Sequence, residues 1–134
     1  MKDVIFDDFQ NSVNESLLRH RSILDIMTKL QESEARINRA VAKTVTNCGC
    51  LQIGAKKQQI PTNADDIDIE DLKHHLQTHI TGTACDNCRE VLEREIGNHM
   101  FYVASLCNLL DLNLYDILLK EYDRIGTLGK FSMR

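Results

Sequence analysis

Residues 85–110 read CDNCREVLEREIGNHMFYVASLCNLL, and their spacing decides the fold. Val91, Leu92, Ile96, Met100, Val103, Leu106, Cys107 and Leu110 recur at three- and four-residue intervals, which puts them on one side of a helix. The spacing predicts a helix opening at Thr83-Ala84-Cys85-Asp86, with this stripe buried along its length and Cys107 in it as a small hydrophobe. Asp111-Leu112-Asn113 breaks the pattern, and Leu114, Ile117, Leu118, Tyr122 and Ile125 predict a last helix with those side chains facing inward. Upstream, Asp68-Ile69-Glu70-Asp71-Leu72 has the acidic character of a helix start, and the helix is expected to run through His75, Leu76 and His79 to Gly82.

Towards the N-terminus, Ile5, Phe6, Phe9, Val13 and Leu17 form one helical stripe, and Ile23, Ile26, Met27, Leu30, Ile37, Val41 and Val45 another. Nothing between residues 17 and 23 forces a break, so two helices and one long bent helix both fit. The polar run Gln31-Glu32-Ser33-Glu34-Ala35-Arg36 interrupts the second stripe for one turn, and Thr46-Asn47-Cys48-Gly49-Cys50 ends it. Residues 46–66 read as an irregular connection, since Lys56-Lys57-Gln58-Gln59 and Pro61-Thr62-Asn63 carry no apolar period. The reading is a single all-α domain over residues 1–134, a bundle of four or five helices.

Composition narrows the function. A net charge of −4 supplies no broad cationic field, so nucleic acid is not the expected partner. No apolar run approaches the length of a membrane span, and the acidic start Met1-Lys2-Asp3-Val4-Ile5-Phe6-Asp7-Asp8 is not that of a secretory signal. The expected location is the cytoplasm, where clustered cysteines bind metal or stay reduced more often than they form disulfides.

Four of the five cysteines sit in two couplets, Cys48-Gly49-Cys50 and Cys85-Asp86-Asn87-Cys88, with 34 residues between them. Thiolates two or three residues apart can converge on one ion, so the couplets predict a four-thiolate site for zinc or, alternatively, an iron–sulfur cluster. Such a site would pin the end of the second helix to the start of the fourth. The alternative is a set of reduced thiols packed at a helix junction. His74, His75 and His79 are substitute ligands, of which His75 and His79 share a helical face if the helix extends that far.

The stretch from Glu95 to Asn108, followed by Leu110-Asp111-Leu112-Asn113-Leu114, resembles the second metal-motif helix of MazG-like nucleoside triphosphate pyrophosphohydrolases. In that family the helix begins Glu-x-x-Asp and continues with an apolar run. Residues 30–41, from Leu30 to Val41, are similar to the family's first motif, in which Glu-Glu-x-x-Glu precedes an apolar stripe. The whole chain also resembles a family of small cytosolic proteins of Gram-positive bacteria that brings no activity with it. The first resemblance implies a MazG-like helical fold, homo-oligomers, a nucleotide as ligand and Mg²⁺ held by carboxylates of two antiparallel helices.

Carried over residue by residue, Glu32 and Glu95 keep the carboxylate. Ser33 and Arg36 stand where the first motif has Glu, and Asn98 where the second has Asp, so the magnesium/nucleotide site is degenerate. Arg36 brings a competing cation and is expected to pair with Glu32 or Glu95. Cys88 precedes Glu95 by seven residues, about 10 Å of helix, while Glu32 precedes Cys48 by sixteen, about 24 Å. If both stretches are helical throughout and the thiols meet, the two carboxylates stand at different heights.

Three functions follow from this reading. One is a non-catalytic binding or regulatory protein, a homodimer stapled by a four-cysteine metal site. Another is a pyrophosphohydrolase with a site rearranged around Glu32, Glu34, Glu95 and Asn98, the case that needs Mg²⁺. The last is a thiol or metal sensor in which oxidation or ion loss releases the helix junction.

Overall fold

The computed structural model describes residues 2–60 and 69–129. They form an all-α bundle of five helices and one small strand pair, in the order α1 (Lys2–Ser16), α2 (Ile23–Lys43), β1 (Leu51–Ile53), α3 (Ile69–His75), β2 (Ile80–Gly82), α4 (Asp86–Leu109) and α5 (Leu114–Leu128). The predicted opening residue Asp68 and the stretch from Pro61 to Asp66 fall outside the described residues.

The chain does break between α1 and α2. The Leu17 amide still bonds the Val13 carbonyl at 3.0 Å, and the Arg21 guanidinium then reaches back to the carbonyls of Leu17 and Asn14. That interaction closes the end of α1 with a cation at its negative pole. Ser22 starts α2 by accepting the Leu24 amide on its hydroxyl.

The long helices α2 and α4 pack along each other, and α1 lies across α4. The core is compact and local: Val13, Ala104, Cys107 and Leu114, with Phe6, Phe9, Phe101 and Val103 against it. Cys107 is buried as its place in the stripe predicts, and burial raises its thiol pKa, partly offset by its own backbone. The rest of the predicted α4 stripe is less buried than its periodicity implies, for Val91, Ile96 and Leu110 are exposed. Full burial along α4 is confined to Ala104, Ser105 and Cys107, where α1 residues such as Val13 join the core.

Gln10 joins three elements at the turn between α4 and α5. Its side chain accepts the Leu114 amide at 2.7 Å and donates to Asn108 Oδ1 and the Leu112 carbonyl, both at 2.9 Å. Asn108 answers with a bond to the Gln10 carbonyl, and Asn113 caps α5 through the Asp116 amide. The turn needs this support because Asp111 adopts φ 55°, a conformation costly for a residue with a Cβ.

Two expectations are corrected in the middle of the chain. The third helix stops at His75 instead of continuing to Gly82, and residues 80–82 form a strand. That strand pairs antiparallel with Leu51–Ile53, a stretch read as irregular from its sequence, in the register Leu51↔Gly82, Gln52↔Thr81 and Ile53↔Ile80. His79, at φ 61°, turns the chain into β2, and its carbonyl accepts the Gly54 amide. His75 and His79 therefore share no helical face.

Candidate metal centre

The strand pair lies between the two cysteine couplets and brings them together. α2 does not end in an ordinary turn: Thr44–Cys48 continue as a π-helical turn, closed by the Gly49 amide on the Thr44 carbonyl at 2.8 Å. The wider turn and Gly49 at φ 82° swing the chain back, so that Cys48 and Cys50 flank the reversal. Thr44 is buried and anchors the turn through a 2.6 Å bond from its hydroxyl to the Val41 carbonyl. On the other side Gly82 lies so close to Cys50 that any Cβ would collide with the Cys50 carbonyl oxygen, and its φ of 90° also suits glycine. Three residues later Cys85 caps α4, accepting the Cys88 amide on its sulfur at 3.4 Å.

The result is a cluster of Cys48, Cys50, Cys85 and Cys88 whose sulfurs all lie within 4.8 Å of one another. Cys48 and Cys85 approach to 3.7 Å, too far for a disulfide, and all four thiols are free. A single ion with four metal–sulfur bonds of about 2.3 Å in a tetrahedron holds its sulfurs about 3.8 Å apart. The donor set thus fits one metal ion. No histidine belongs to the group.

Electrostatics divide the four thiols. The Cys88 backbone amide and thiol, both directed at Cys85, bring Cys85 down to about 7. Cys88 is pushed up to about 12, chiefly by its hydrogen bonds with the Cys85 and Cys50 thiols, then by desolvation and by Cys48. Cys48 also rises: the Cys50 backbone amide and the Cys88 thiol oppose the shift, but its bonds to the Cys85 and Cys50 thiols outweigh them. Of Cys48, Cys85 and Cys88, only Cys85 is shifted towards the thiolate. A metal ion would reverse the penalty on the others by replacing like-charge contacts with coordination.

The residues carried over from the pyrophosphohydrolase motifs come together as well. Glu32, Ser33 and Arg36 on α2 and Glu95 and Asn98 on α4 line one cleft of about 340 Å³, with Lys29, Arg94 and Tyr102. The expected offset in height does not keep Glu32 and Glu95 apart, because α2 and α4 run side by side and both residues line the cleft between them. The cleft is poorly made for Mg²⁺. One Glu32 oxygen faces Lys29 Nζ at 3.3 Å and the other Arg36 Nε at 3.4 Å, and Lys29 foremost holds its carboxyl below the usual range. Arg36 thus pairs with Glu32, as its sequence position suggests. The Ser33 hydroxyl is buried, bonded to the Leu30 carbonyl at 3.0 Å and to His99 Nδ1 at 2.7 Å. Two carboxylates beside Lys29, Arg36 and Arg94, the last of which pairs with Glu90 at 3.6 Å, are a poor donor set for a divalent ion. Glu34, also on α2, does not line this cleft.

The Ser33–His99 bond is the contact that sequence reasoning missed. Ser33 looks like part of a solvated polar turn, and only the packing of α2 on α4 shows that it faces inward. A second cleft of about 380 Å³ continues towards the thiols, lined by Arg36, Arg39 and Lys43 on α2 and by Asn87, Cys88 and Glu95 on α4.

Fold and site together define a helical bundle with a four-cysteine centre able to hold a metal ion. No family model, curated protein or solved structure matches the chain. Among the described residues, no single helix is long and apolar enough to cross a membrane.

Proposed function

We propose that this is a non-catalytic binding or regulatory protein whose helical scaffold, of MazG-like type, is stapled by zinc bound to Cys48, Cys50, Cys85 and Cys88. The observation that carries the reading is the meeting of four thiols within 4.8 Å at a junction of three structured segments. Zinc suits an all-sulfur tetrahedral donor set, prefers no other geometry and performs no redox chemistry, so it serves as a structural closure. An iron–sulfur cluster, having several irons, would keep its thiolates farther apart.

The non-catalytic part rests on the cleft between α2 and α4. Of its two carboxylates, Glu32 is held by both Lys29 and Arg36, and Glu95 shares the cleft with them and with Arg94. Elemental analysis of protein purified without tags or chelators tests the staple: about one equivalent of zinc per chain is expected, and less than half an equivalent of any metal removes the reading. Incubation with nucleoside triphosphates and Mg²⁺ or Mn²⁺ tests the rest. Pyrophosphate release that vanishes in Glu95→Gln would make the protein an enzyme after all.

A further inference from the structure

We infer that Cys48 and Cys85 join in a reversible disulfide when the thiol centre meets a peroxide, so that the centre gives up its ion while the helix junction stays closed. This deepens the four-cysteine reading, on which it rests: oxidation replaces one clamp with another instead of releasing the junction.

Access selects the first sulfur. Cys48 is exposed, whereas Cys50, Cys85 and Cys88 are half-buried. It ends the π-helical turn, where Gly49 reverses the chain. Contact selects the second sulfur. Cys48 and Cys85 already approach to 3.7 Å. A disulfide of about 2.05 Å needs a further approach of about 1.7 Å, which small rotations of two short side chains supply. Cys50 is the poorer partner for Cys48. It lies across Gly49 in the same tight turn, and its thiol is directed at the Thr44 carbonyl at 3.8 Å. A Cys85–Cys88 link would have to begin at a half-buried sulfur.

The oxidant is hydrogen peroxide. The Cys48 thiolate attacks one of its oxygens: a sulfur–oxygen bond forms, the oxygen–oxygen bond breaks, and hydroxide leaves to become water. The Cys85 thiolate then attacks the Cys48 sulfur, forming the disulfide and expelling a second hydroxide, which is likewise protonated. Each sulfur gives up one electron and each peroxide oxygen gains one, so zinc needs no redox role. Cys50 and Cys88 alone do not complete a tetrahedral donor set, and the centre gives up its ion. The new bond joins residues 37 apart, nearly the loop closed before, so most of the restraint on the unfolded chain survives. A small dithiol reverses the step by attacking the exposed Cys48 sulfur and expelling the Cys85 thiolate.

Disulfide mapping of the native chain tests the inference. Purified protein is treated with equimolar hydrogen peroxide, alkylated, digested and sequenced by mass spectrometry, while a chromogenic chelator reads released zinc. A Cys48–Cys85 link is expected, with Cys50 and Cys88 alkylated and one zinc released per link. Helicity should stay, and Tm should fall by less than half as much as after chelation of the reduced protein. Dithiothreitol should restore the free thiols and metal uptake. Cys48→Ser should slow zinc release at least about tenfold; if that variant does not fold, the map of the native chain decides. Protein that holds no metal when purified removes the staple but not the disulfide, because the same map reads the link in the metal-free chain. A predominant link within either couplet, sulfinic acid on Cys48 without a link, or an oxidised chain that melts as low as the chelated one each overturns the inference.

Discussion

Removing the metal should cost this fold a large share of its stability, and the structure sets the size of the loss. The four sulfurs meet only in the folded chain, so binding energy is folding energy. Closing Cys50 onto Cys85 ties a loop of about 35 residues, worth about 4 kcal/mol of chain entropy. A metal present at about a thousand times its dissociation constant gives the same figure by mass action. An unfolding entropy of about 0.28 kcal/mol/K for a chain of this length turns 4 kcal/mol into a fall in Tm of about 14 °C. Circular dichroism melts before and after treatment with a strong chelator, with metal content measured on the same samples, read the effect directly. Cys88→Ser should reproduce the fall, and chelation of that variant should add little, since both perturbations remove one interaction. A shift below about 3 °C after verified metal loss would refute the reasoning, because the strand pair and the α2–α4 contact would then hold the junction by themselves.

Three further outcomes follow. Cys48 and Cys88 are held above the ordinary thiol value and Cys85 titrates at about 7, so binding must expel at least two protons, and apparent metal affinity should rise at least about a hundredfold per pH unit between pH 6 and 8. Competition against a chromogenic chelator at several pH values measures the slope, and a flat profile contradicts the four-thiolate donor set. Gly82→Ala should destabilise the fold and weaken metal binding together, because its Cβ meets the Cys50 carbonyl at a backbone angle that disfavours a side chain; unchanged metal affinity would mean that the β1–β2 register does not position the sulfurs. Gln10→Leu should cost about 2–3 kcal/mol in urea unfolding by orphaning the Leu114 amide and its partners, while leaving metal content intact, and a neutral result would remove the proposed role of that side chain in fixing the α4–α5 turn.

Much of this was legible in the chain itself. The three- and four-residue spacing between Val91 and Leu110 announces α4, because a helix needs only one apolar side to earn its place in a bundle. The break at Asp111-Leu112-Asn113 and the cysteine couplets are equally local signals. Burial was not legible: the inward positions assigned along α5 hold only at Leu114, since periodicity says which side of a helix is apolar but not what covers it. The strand pair was missed for a related reason. Leu51-Gln52-Ile53 and Ile80-Thr81-Gly82 are three residues each, too short to show an alternation, and become strands only through each other.

The sequence alone determined the helical class, the ends of α4, the start of α5 and the identity of the four thiols, because each depends on neighbours a few residues away. Only the tertiary structure decided that the thiols lie within 4.8 Å, through a π-helical turn and a glycine that lets two strands close. It also decided that Glu32 and Glu95 share a cleft in which Lys29 and Arg36 hold Glu32, and that Ser33 turns inward to His99. Those outcomes depend on how α2 lies against α4 across more than fifty residues of chain, and no local pattern encodes that distance.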